Sequence, residues 1–113
     1  GEVPLIDIDG RMDEALLEMT AKSFGCIGVT DADGLLVGVI TDGDLRRHID
    51  GDLLAQPVRT VMTAEPKVIA PRRLAAEALW IMSTRSISSL FVVEDGKPVG
   101  ILHMHDCLRA GIA

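Results

Sequence analysis

Apolar and polar residues follow two kinds of pattern along the chain, short apolar runs typical of strands and stretches with helical spacing. Between residues 12 and 24 the apolar side chains recur every three or four residues, which predicts an amphipathic helix. Two apolar runs then flank the turn Asp31–Gly34, whose Asp-Gly pair is typical of a β-hairpin. The first part of the chain is therefore predicted to contain an edge strand Val3–Ile8, a helix Met12–Phe24, strands Cys26–Thr30 and Leu35–Thr41, and a short helix Asp42–Ile49.

The same order of elements returns after a connection marked by Gly and Pro at Asp50–Pro57. The predicted elements are a strand Val68–Ala70, a helix Leu74–Arg85, strands Leu90–Glu94 and Pro98–Leu102, and a helix Asp106–Ala110. One offset of 62 residues aligns the copies without a gap and matches Asp44 with Asp106. Because each copy is too small to close its own core, we expect two β-α-β-β-α units to pack about a pseudo-two-fold axis. The prediction is an α+β fold with repeat 1 at residues 1–55 and repeat 2 at residues 56–113.

Composition and charge narrow the classes of function. With 113 residues, 48% of them apolar, the chain can form one compact domain with a sizeable core. A net charge of −6 and only 3% aromatic residues argue against a nucleic-acid partner. No apolar run has the length of a membrane span, and Cys26 and Cys107 form no CxxC motif, so we expect reduced thiols, no membrane partner and a cytoplasmic location. The chain begins at Gly1 rather than Met, and we therefore expect a piece of a longer protein.

The stretch Gly38–Arg47, reading GVITDGDLRR, predicts a strand that ends at Thr41 and passes directly into a helix. Backbone N–H groups, a hydroxyl and two carboxylates meet at this junction, which suits a ligand that carries phosphate and hydroxyl groups. Thr41 and the N–H groups of Asp42 and Gly43 can contact such a phosphate. Thr41 and Asp44 also have the spacing of a capping box. Ligand binding and helix capping therefore both stay open for Asp44.

The second copy of the junction, reading GILHMHD, has His103 in place of the capping threonine but keeps Asp106. An acid that persists without its capping partner favours ligand binding for Asp44. His103 and His105 would share one side of a strand, as in a metal site, but no third and fourth ligand stands nearby in the sequence. We therefore predict no metal, a ligand contact for His103, and an exposed His105.

Both junctions follow the pattern G-h-h-x-x-x-D, in which h is apolar, and each comes after an Asp-Gly hairpin turn. With the stretch VMTAEP at Val61–Pro66, the chain resembles a tandem pair of CBS (cystathionine β-synthase) domains over nearly its whole length. The segments MDEALLEMTAKSFG, GVITDGDLRR and GILHMHDCLRAG are similar to the C-terminal half of bacterial sugar isomerases of the arabinose 5-phosphate isomerase type. Those enzymes interconvert D-ribulose 5-phosphate and D-arabinose 5-phosphate through a sugar-isomerase domain that this sequence lacks. The resemblance implies a regulatory part without catalytic residues.

The resemblance also implies a nucleotide or nucleotide-sugar ligand, such as AMP or CMP-Kdo, in a cleft between the repeats, and no other cofactor. The Asp44 carboxylate would accept hydrogen bonds from two ribose hydroxyls, and Arg47 would reach a phosphate unless it belongs to a solvated helix face. The resemblance further implies a pairing across the pseudo-two-fold axis: Thr41 and Asp44 with Ile69, Ile87, Ser88, Ser89 and Leu90, and His103 and Asp106 with Ile6, Cys26, Ile27 and Gly28. Asp42, Gly43 and Arg47 are the other candidate ligand-binding residues of the first junction. The alternative for the apolar members is a place in the core.

CBS pairs usually form flat dimers through their helices, so the resemblance implies a homodimer and a homo-oligomeric parent protein. Trp80 lies off the main apolar stripe of its helix and is the preferred interface residue. Three hypotheses follow: a ligand-sensing regulatory module, a structural dimerisation module that binds no ligand, and an independent enzyme. The last is the least supported, because the sequence has no P-loop, G-x-S-x-G elbow, GxGxxG fingerprint or nucleophilic Cys–His arrangement.

Overall fold

The computed structural model describes residues 3–22, 25–73 and 75–109, except for the side chains at 21, 22, 108 and 109. The chain divides into two compact units, with the boundary between Pro66 and Lys67. Each unit contains the β-α-β-β-α order that the sequence predicts, so the predicted α+β class is confirmed. The pseudo-two-fold axis and the repeat boundary at residue 55 stay predictions.

The first unit forms a four-stranded sheet in the order β1-β2-β3-β4. Its elements are β1 (Leu5–Asp7), α1 (Met12–Lys22), β2 (Cys26–Thr30), β3 (Leu36–Thr41), α2 (Asp42–Arg47), a 3-10 turn (Leu53–Ala55), α3 (Val58–Val61) and β4 (Thr63–Ala64). Strand β1 pairs with β2 in parallel, and the other two strand pairs are antiparallel. Strand β4 therefore brings the segment that follows α3 back to the edge of the sheet beside β3.

The second unit forms a three-stranded sheet in the order β5-β6-β7. Its elements are β5 (Val68–Ile69), α4 (Ala75–Arg85), β6 (Ser89–Glu94), β7 (Lys97–His103) and α5 (Met104–Arg109). Strands β5 and β6 are parallel, as β1 and β2 are, and β6 and β7 form the antiparallel hairpin. Both units thus place a strand-to-helix junction, β3–α2 or β7–α5, at the open end of a hairpin.

Helical spacing explains how the long helix of each unit packs on its sheet. Helix α1 buries Met12, Ala15 and Met19, which lie three and four residues apart on one face, against the apolar side chains of the sheet. Helix α4 buries Ala78 and Met82 in the same way in the second unit. With so few aromatic residues, these cores consist mainly of aliphatic and methionine side chains.

The gapless offset of 62 residues is wrong for the first half of each repeat. Helix α1 (Met12–Lys22) corresponds to α4 (Ala75–Arg85), which is an offset of 63. The offset of 63 continues through the first strand of each hairpin, where Val29 corresponds to Val92, and becomes 62 in the second strand, where their partners Gly38 and Gly100 correspond. The second hairpin is therefore one residue shorter than the first, and a comparison of letters without gaps does not detect this.

Burial explains why the offset of 63 holds for the helices. It matches Ala15 and Met19 with Ala78 and Met82, and all four side chains are buried. An offset of 62 would match the buried Ala15 with Glu77, which is exposed. The repeat preserves the positions that face the core, because those positions determine whether the helix packs on its sheet.

Several element boundaries differ from the prediction. Helix α2 ends at Arg47 rather than Ile49, and α5 begins at Met104 rather than Asp106. The 3-10 turn, α3 and β4 were not predicted, because four helical residues and two strand residues are too short to show a period. The predicted helix residues Phe24, Leu74 and Ala110 lie outside the described residues.

Candidate functional site

The first junction is formed where β3 ends at Thr41 and α2 begins at Asp42, as the sequence predicts. Asp44 lies in the first turn of α2 and is only 2% exposed, although it carries a carboxylate. The Thr41 N–H donates to Asp44 Oδ2 over 2.9 Å, and the Thr41 hydroxyl donates to the same oxygen over 3.2 Å. The backbone N–H of Asp44 in turn donates to the Thr41 side chain, and with the Thr41 N–H bond this completes a capping box, so helix capping is a real role of Asp44 in this structure.

The other carboxylate oxygen of Asp44 accepts from the side chains of two further residues, one on α2 itself and one on β4. The Thr63 hydroxyl on β4 donates to Oδ1 over 2.6 Å, and the guanidinium of Arg47 donates to the same oxygen. Arg47 therefore forms an ion pair with a buried carboxylate, although its own side chain is 63% exposed. Burial of a charge is costly unless it is paired and hydrogen-bonded, and these four contacts satisfy Asp44.

Sequence reasoning missed Thr63. It lies 19 residues after Asp44 and belongs to a two-residue strand that shows no period of its own. The stretch VMTAEP drew attention to this segment only as the opening of a repeat. A hydroxyl residue in the stretch VMTAEP was the only hint that the sequence offered. The pairing of β4 with β3 is what places Thr63 beside Asp44.

The second junction has a different chemistry. Strand β7 ends at His103, and the Ser89 hydroxyl lies 3.2 Å from His103 Nδ1. The rings of His103 and His105 stack with their centroids 5.6 Å apart. Asp106 has a side chain that is 40% exposed and lies 3.3 Å from His105 Nε2. Asp106 thus lies in a partly solvated cluster of imidazoles, whereas Asp44 lies in a buried cluster of hydroxyl donors.

Of the remaining predicted ligand residues, some lie in or next to the strands β2 and β6 that pair with the junction strands, whereas Ile6 and Ile69 lie one strand further away, in β1 and β5. Cys26 pairs with Thr41 across β2 and β3, and Ser89 pairs with His103 across β6 and β7. Cys26, Ile27, Gly28, Ile69 and Leu90 are buried, Ile6, Ile87 and Ser89 are half-buried, and Ser88 is exposed. Ile27 and Leu90 have core positions. The predicted pairing of each junction with the other repeat stays a prediction.

Gly43 and Asp42 complete the first junction. A Cβ atom on Gly43 would lie 3.3 Å from Arg47 Nη1 and 3.6 Å from Thr41 Oγ1, so the backbone here comes close to the groups around Asp44. Asp42 is exposed. The structure therefore places four of the five residues predicted in the first junction, Thr41, Gly43, Asp44 and Arg47, in one cluster.

Two pKa shifts occur outside the junctions, at the start of α1. The hydrogen bond from Arg11, with Nη2 2.5 Å from Asp13 Oδ2, lowers the pKa of the Asp13 carboxyl, and the same bond raises the pKa of Arg11. Both groups form a surface ion pair, and neither touches the Asp44 cluster. This pair therefore stabilises the start of the helix rather than a site.

Other kinds of site receive no support from the part of the chain that is described. An open pocket of about 270 Å³ in the second unit is lined by Ala70, Pro71, Arg72, Val93, Glu94 and Asp95. It lies at the turn end of the β6–β7 hairpin, away from His103. Within residues 3–22, 25–73 and 75–109, no three His, Cys, Asp or Glu side chains are grouped as metal ligands, and no helix is long and apolar enough to span a membrane.

Comparisons with known proteins agree with this architecture. The sequence profile of the CBS domain matches residues 2–51 and again residues 58–113. The chain is 44% identical to arabinose 5-phosphate isomerase KdsD of Pseudomonas aeruginosa, over 97% of this chain and 35% of that protein. It therefore spans about a third of the length of the curated relatives it matches.

Solved structures show the same fold. The CBS-domain protein ATU1752 from Agrobacterium tumefaciens is 28% identical, with a TM-score of 0.86 over 98% of this chain and 90% of that chain. CBSX2, whose crystal structure is a complex with AMP, is 26% identical, with a TM-score of 0.81 over 97% of this chain and 87% of that chain.

Proposed function

Since the chain belongs to the CBS domain family and contains two repeats, we propose that it is the ligand-sensing regulatory part of a D-arabinose 5-phosphate isomerase. Support comes from its homology to the corresponding region of KdsD from Pseudomonas aeruginosa. Catalysis of the isomerisation would belong to a part of the parent protein outside this chain. The chain's own task would be to bind a nucleotide or nucleotide sugar and to bias the attached enzyme between states of different activity.

The environment of Asp44 carries the ligand proposal. Its buried carboxylate already accepts hydrogen bonds from two hydroxyl groups, those of Thr41 and Thr63. A ribose presents the same donor chemistry through its vicinal hydroxyls. Arg47, whose guanidinium reaches the cluster from an exposed position, would supply a cation for a phosphate. The complex of the related CBSX2 with AMP supports a nucleotide as the class of ligand.

The second junction would serve as a weaker or different site. Asp106 is partly solvated and adjoins imidazole rings, so it offers a ribose a less ordered acceptor than Asp44 does. In this proposal the ribose and phosphate are bound mainly by the first junction, through Thr41, Gly43, Asp44 and Arg47. The other predicted residues would contact the rest of the ligand. CMP-Kdo, the nucleotide-activated form of the lipopolysaccharide sugar Kdo, is the specific ligand that end-product regulation would favour, because it lies downstream of the isomerase reaction on the same route.

Isothermal titration calorimetry of the chain with AMP, CMP and CMP-Kdo tests the proposal. We expect heat with at least one of them, and a loss of affinity of at least about tenfold in Asp44→Asn, which keeps the size but removes the charge. The matched variant Asp106→Asn should lose less. Absence of heat with every ligand, or equal losses in both variants, would contradict the proposal.

A structural dimerisation module is the second candidate function, and one observation favours it. Leu17 on α1 and Trp80 on α4 are 73% and 67% exposed, and they occupy equivalent positions of the two helices at the offset of 63. A large apolar residue that stays exposed at the same place in both repeats is typical of a contact surface. We propose that these helix faces join two copies of the chain.

Light scattering tests this second candidate through the mass in solution. The wild-type chain should be a dimer, and Leu17→Glu combined with Trp80→Glu should be a monomer that retains its circular dichroism spectrum. Ile49→Glu is the control, because Ile49 is equally apolar and 66% exposed but lies outside both helices. A wild-type monomer, or a dimer that survives the double substitution, would exclude these faces as the interface.

A further inference from the structure

The four contacts of Asp44 divide between its two oxygens. Among the described residues, Oδ2 accepts from Thr41 alone, through the backbone N–H and the hydroxyl. Within the same residues, Oδ1 accepts from Arg47 and Thr63. A carboxylate offers about four acceptor positions, so this one is fully occupied. A ligand hydroxyl can reach Asp44 only if it replaces one of these donors.

The donors on Oδ1 are the ones that a ligand can replace. The Oδ2 contacts are local to the turn, and their loss would undo the cap of α2. Thr63 and Arg47, in contrast, are exposed residues whose side chains take no part in the cap, and Thr63 reaches Oδ1 from β4. Once displaced, both side chains can be solvated by water, so their release leaves no buried polar group unpaired. Oδ1 is therefore the exchangeable oxygen of Asp44.

We propose that the Thr63 hydroxyl occupies the place of a ligand hydroxyl on Asp44 Oδ1, and that a bound nucleotide displaces it. This inference rests on the proposed nucleotide binding and adds a competing group within the chain itself. Thr63 thereby occupies an acceptor position of Asp44 until the ligand binds, and this competition lowers the apparent affinity. The chain exchanges one hydroxyl–carboxylate hydrogen bond for another when the ligand binds.

Displacement of Thr63 has a consequence for the segment that carries it. Strand β4 pairs with β3 through only two residue pairs, and the Glu65 N–H donates to the Val37 carbonyl over a long 3.4 Å. Glu65 also has a left-handed backbone with φ of 53°, which is unfavourable for a residue other than glycine. The bond between Thr63 and Asp44 is therefore a main attachment of β4. Its loss would loosen the segment that leads into the second unit at Lys67.

Calorimetry with AMP tests the role of Thr63, because the affinity of Thr63→Val should rise if Thr63 competes with the ligand and fall if Thr63 binds it. Valine keeps the β-branched shape but cannot donate, so AMP no longer has to displace a hydrogen bond. We expect AMP to bind roughly threefold to tenfold more tightly than to wild type. Thr63→Ser retains the hydroxyl and should restore the wild-type affinity, and Thr60→Val, an exposed threonine on α3, is the matched control.

Hydrogen exchange gives a second readout that a direct ligand contact would not produce. In the wild type, AMP should increase amide exchange over residues 63–65, whereas a segment that contacts the ligand would become protected. In Thr63→Val the exchange there should be raised without AMP and should change little on its addition.

The outcomes separate this inference from the function on which it rests. If wild type binds AMP and Thr63→Val binds it equally or more weakly, or if residues 63–65 become protected, the inference is overturned and the proposed function stands. The same comparison is made with whichever of AMP, CMP and CMP-Kdo the wild type binds. If neither wild type nor Thr63→Val gives heat with any of the three, the proposed nucleotide binding fails and the inference fails with it. Tighter binding by Thr63→Val supports both.

Discussion

The two strand-to-helix junctions have the same backbone order and an aspartate at the same place, yet they differ in environment. Asp44 is 2% exposed and is held by Thr41, Thr63 and Arg47. Asp106 has a side chain that is 40% exposed and lies beside an imidazole. The comparison shows that a repeated motif specifies where a carboxylate lies along the chain, while its neighbours determine its chemistry.

The equivalent glycines of the two hairpins likewise differ in their neighbours. Gly38 and Gly100 hold equivalent positions in β3 and β7. A Cβ atom on Gly38 would lie 2.7 Å from the Met62 sulfur and 3.0 Å from the Thr63 carbonyl oxygen, because β4 passes directly beside it. On Gly100 the nearest atom would be in ordinary contact, at 3.7 Å. The first glycine makes room for a strand, and the described part of the second unit places no such strand beside Gly100.

The largest expected difference is in the free energy of unfolding when each aspartate is replaced by alanine. Asp44→Ala should lower the free energy of unfolding by about 2–3 kcal/mol, because it removes the cap of α2 and the acceptor of a charged donor. Asp106→Ala should cost about 0.5 kcal/mol, as expected for a partly solvated group at a helix start. Urea denaturation at pH 7, followed by circular dichroism, measures both. Equal losses would show that the two environments do not differ energetically.

A smaller effect is expected at the two glycines. Gly38→Ala should cost about 1–2 kcal/mol, because Met62 and the backbone of β4 must shift to admit a methyl group. Gly100→Ala should change the stability by no more than about 0.5 kcal/mol, since its Cβ meets only ordinary contacts. Thermal unfolding of both variants under one condition provides the measurement. A tolerated Gly38→Ala would mean that β4 is not held against β3 in solution.

The repeat and its junctions could be predicted because they are local. Asp-Gly pairs predict the hairpin turns, and apolar residues spaced three and four apart predict the helices. The strand that ends at Thr41 and the helix that begins at Asp42 follow from ten consecutive residues, GVITDGDLRR. The capping box between Thr41 and Asp44 is equally local, which explains why the first junction alone left capping and ligand binding both open for Asp44, before the second junction favoured ligand binding.

The parts that escaped prediction depend on contacts between distant segments. The change of offset from 63 to 62 became visible only when the buried positions Ala15 and Ala78 could be matched. Strand β4 has too few residues to show a pattern, and its existence follows from its pairing with β3. The equivalence of Leu17 and Trp80, both exposed, depends on the same corrected offset.

By itself, the sequence determined the order of the elements, the twofold repetition and the position of an aspartate at each junction. Only the tertiary structure decided that one of these aspartates is buried and fully bonded. Thr63 reaches Asp44 from 19 residues away, because an edge strand returns to the sheet beside β3. A hydrogen bond of this kind depends on distance in space, which local propensity and periodicity do not encode.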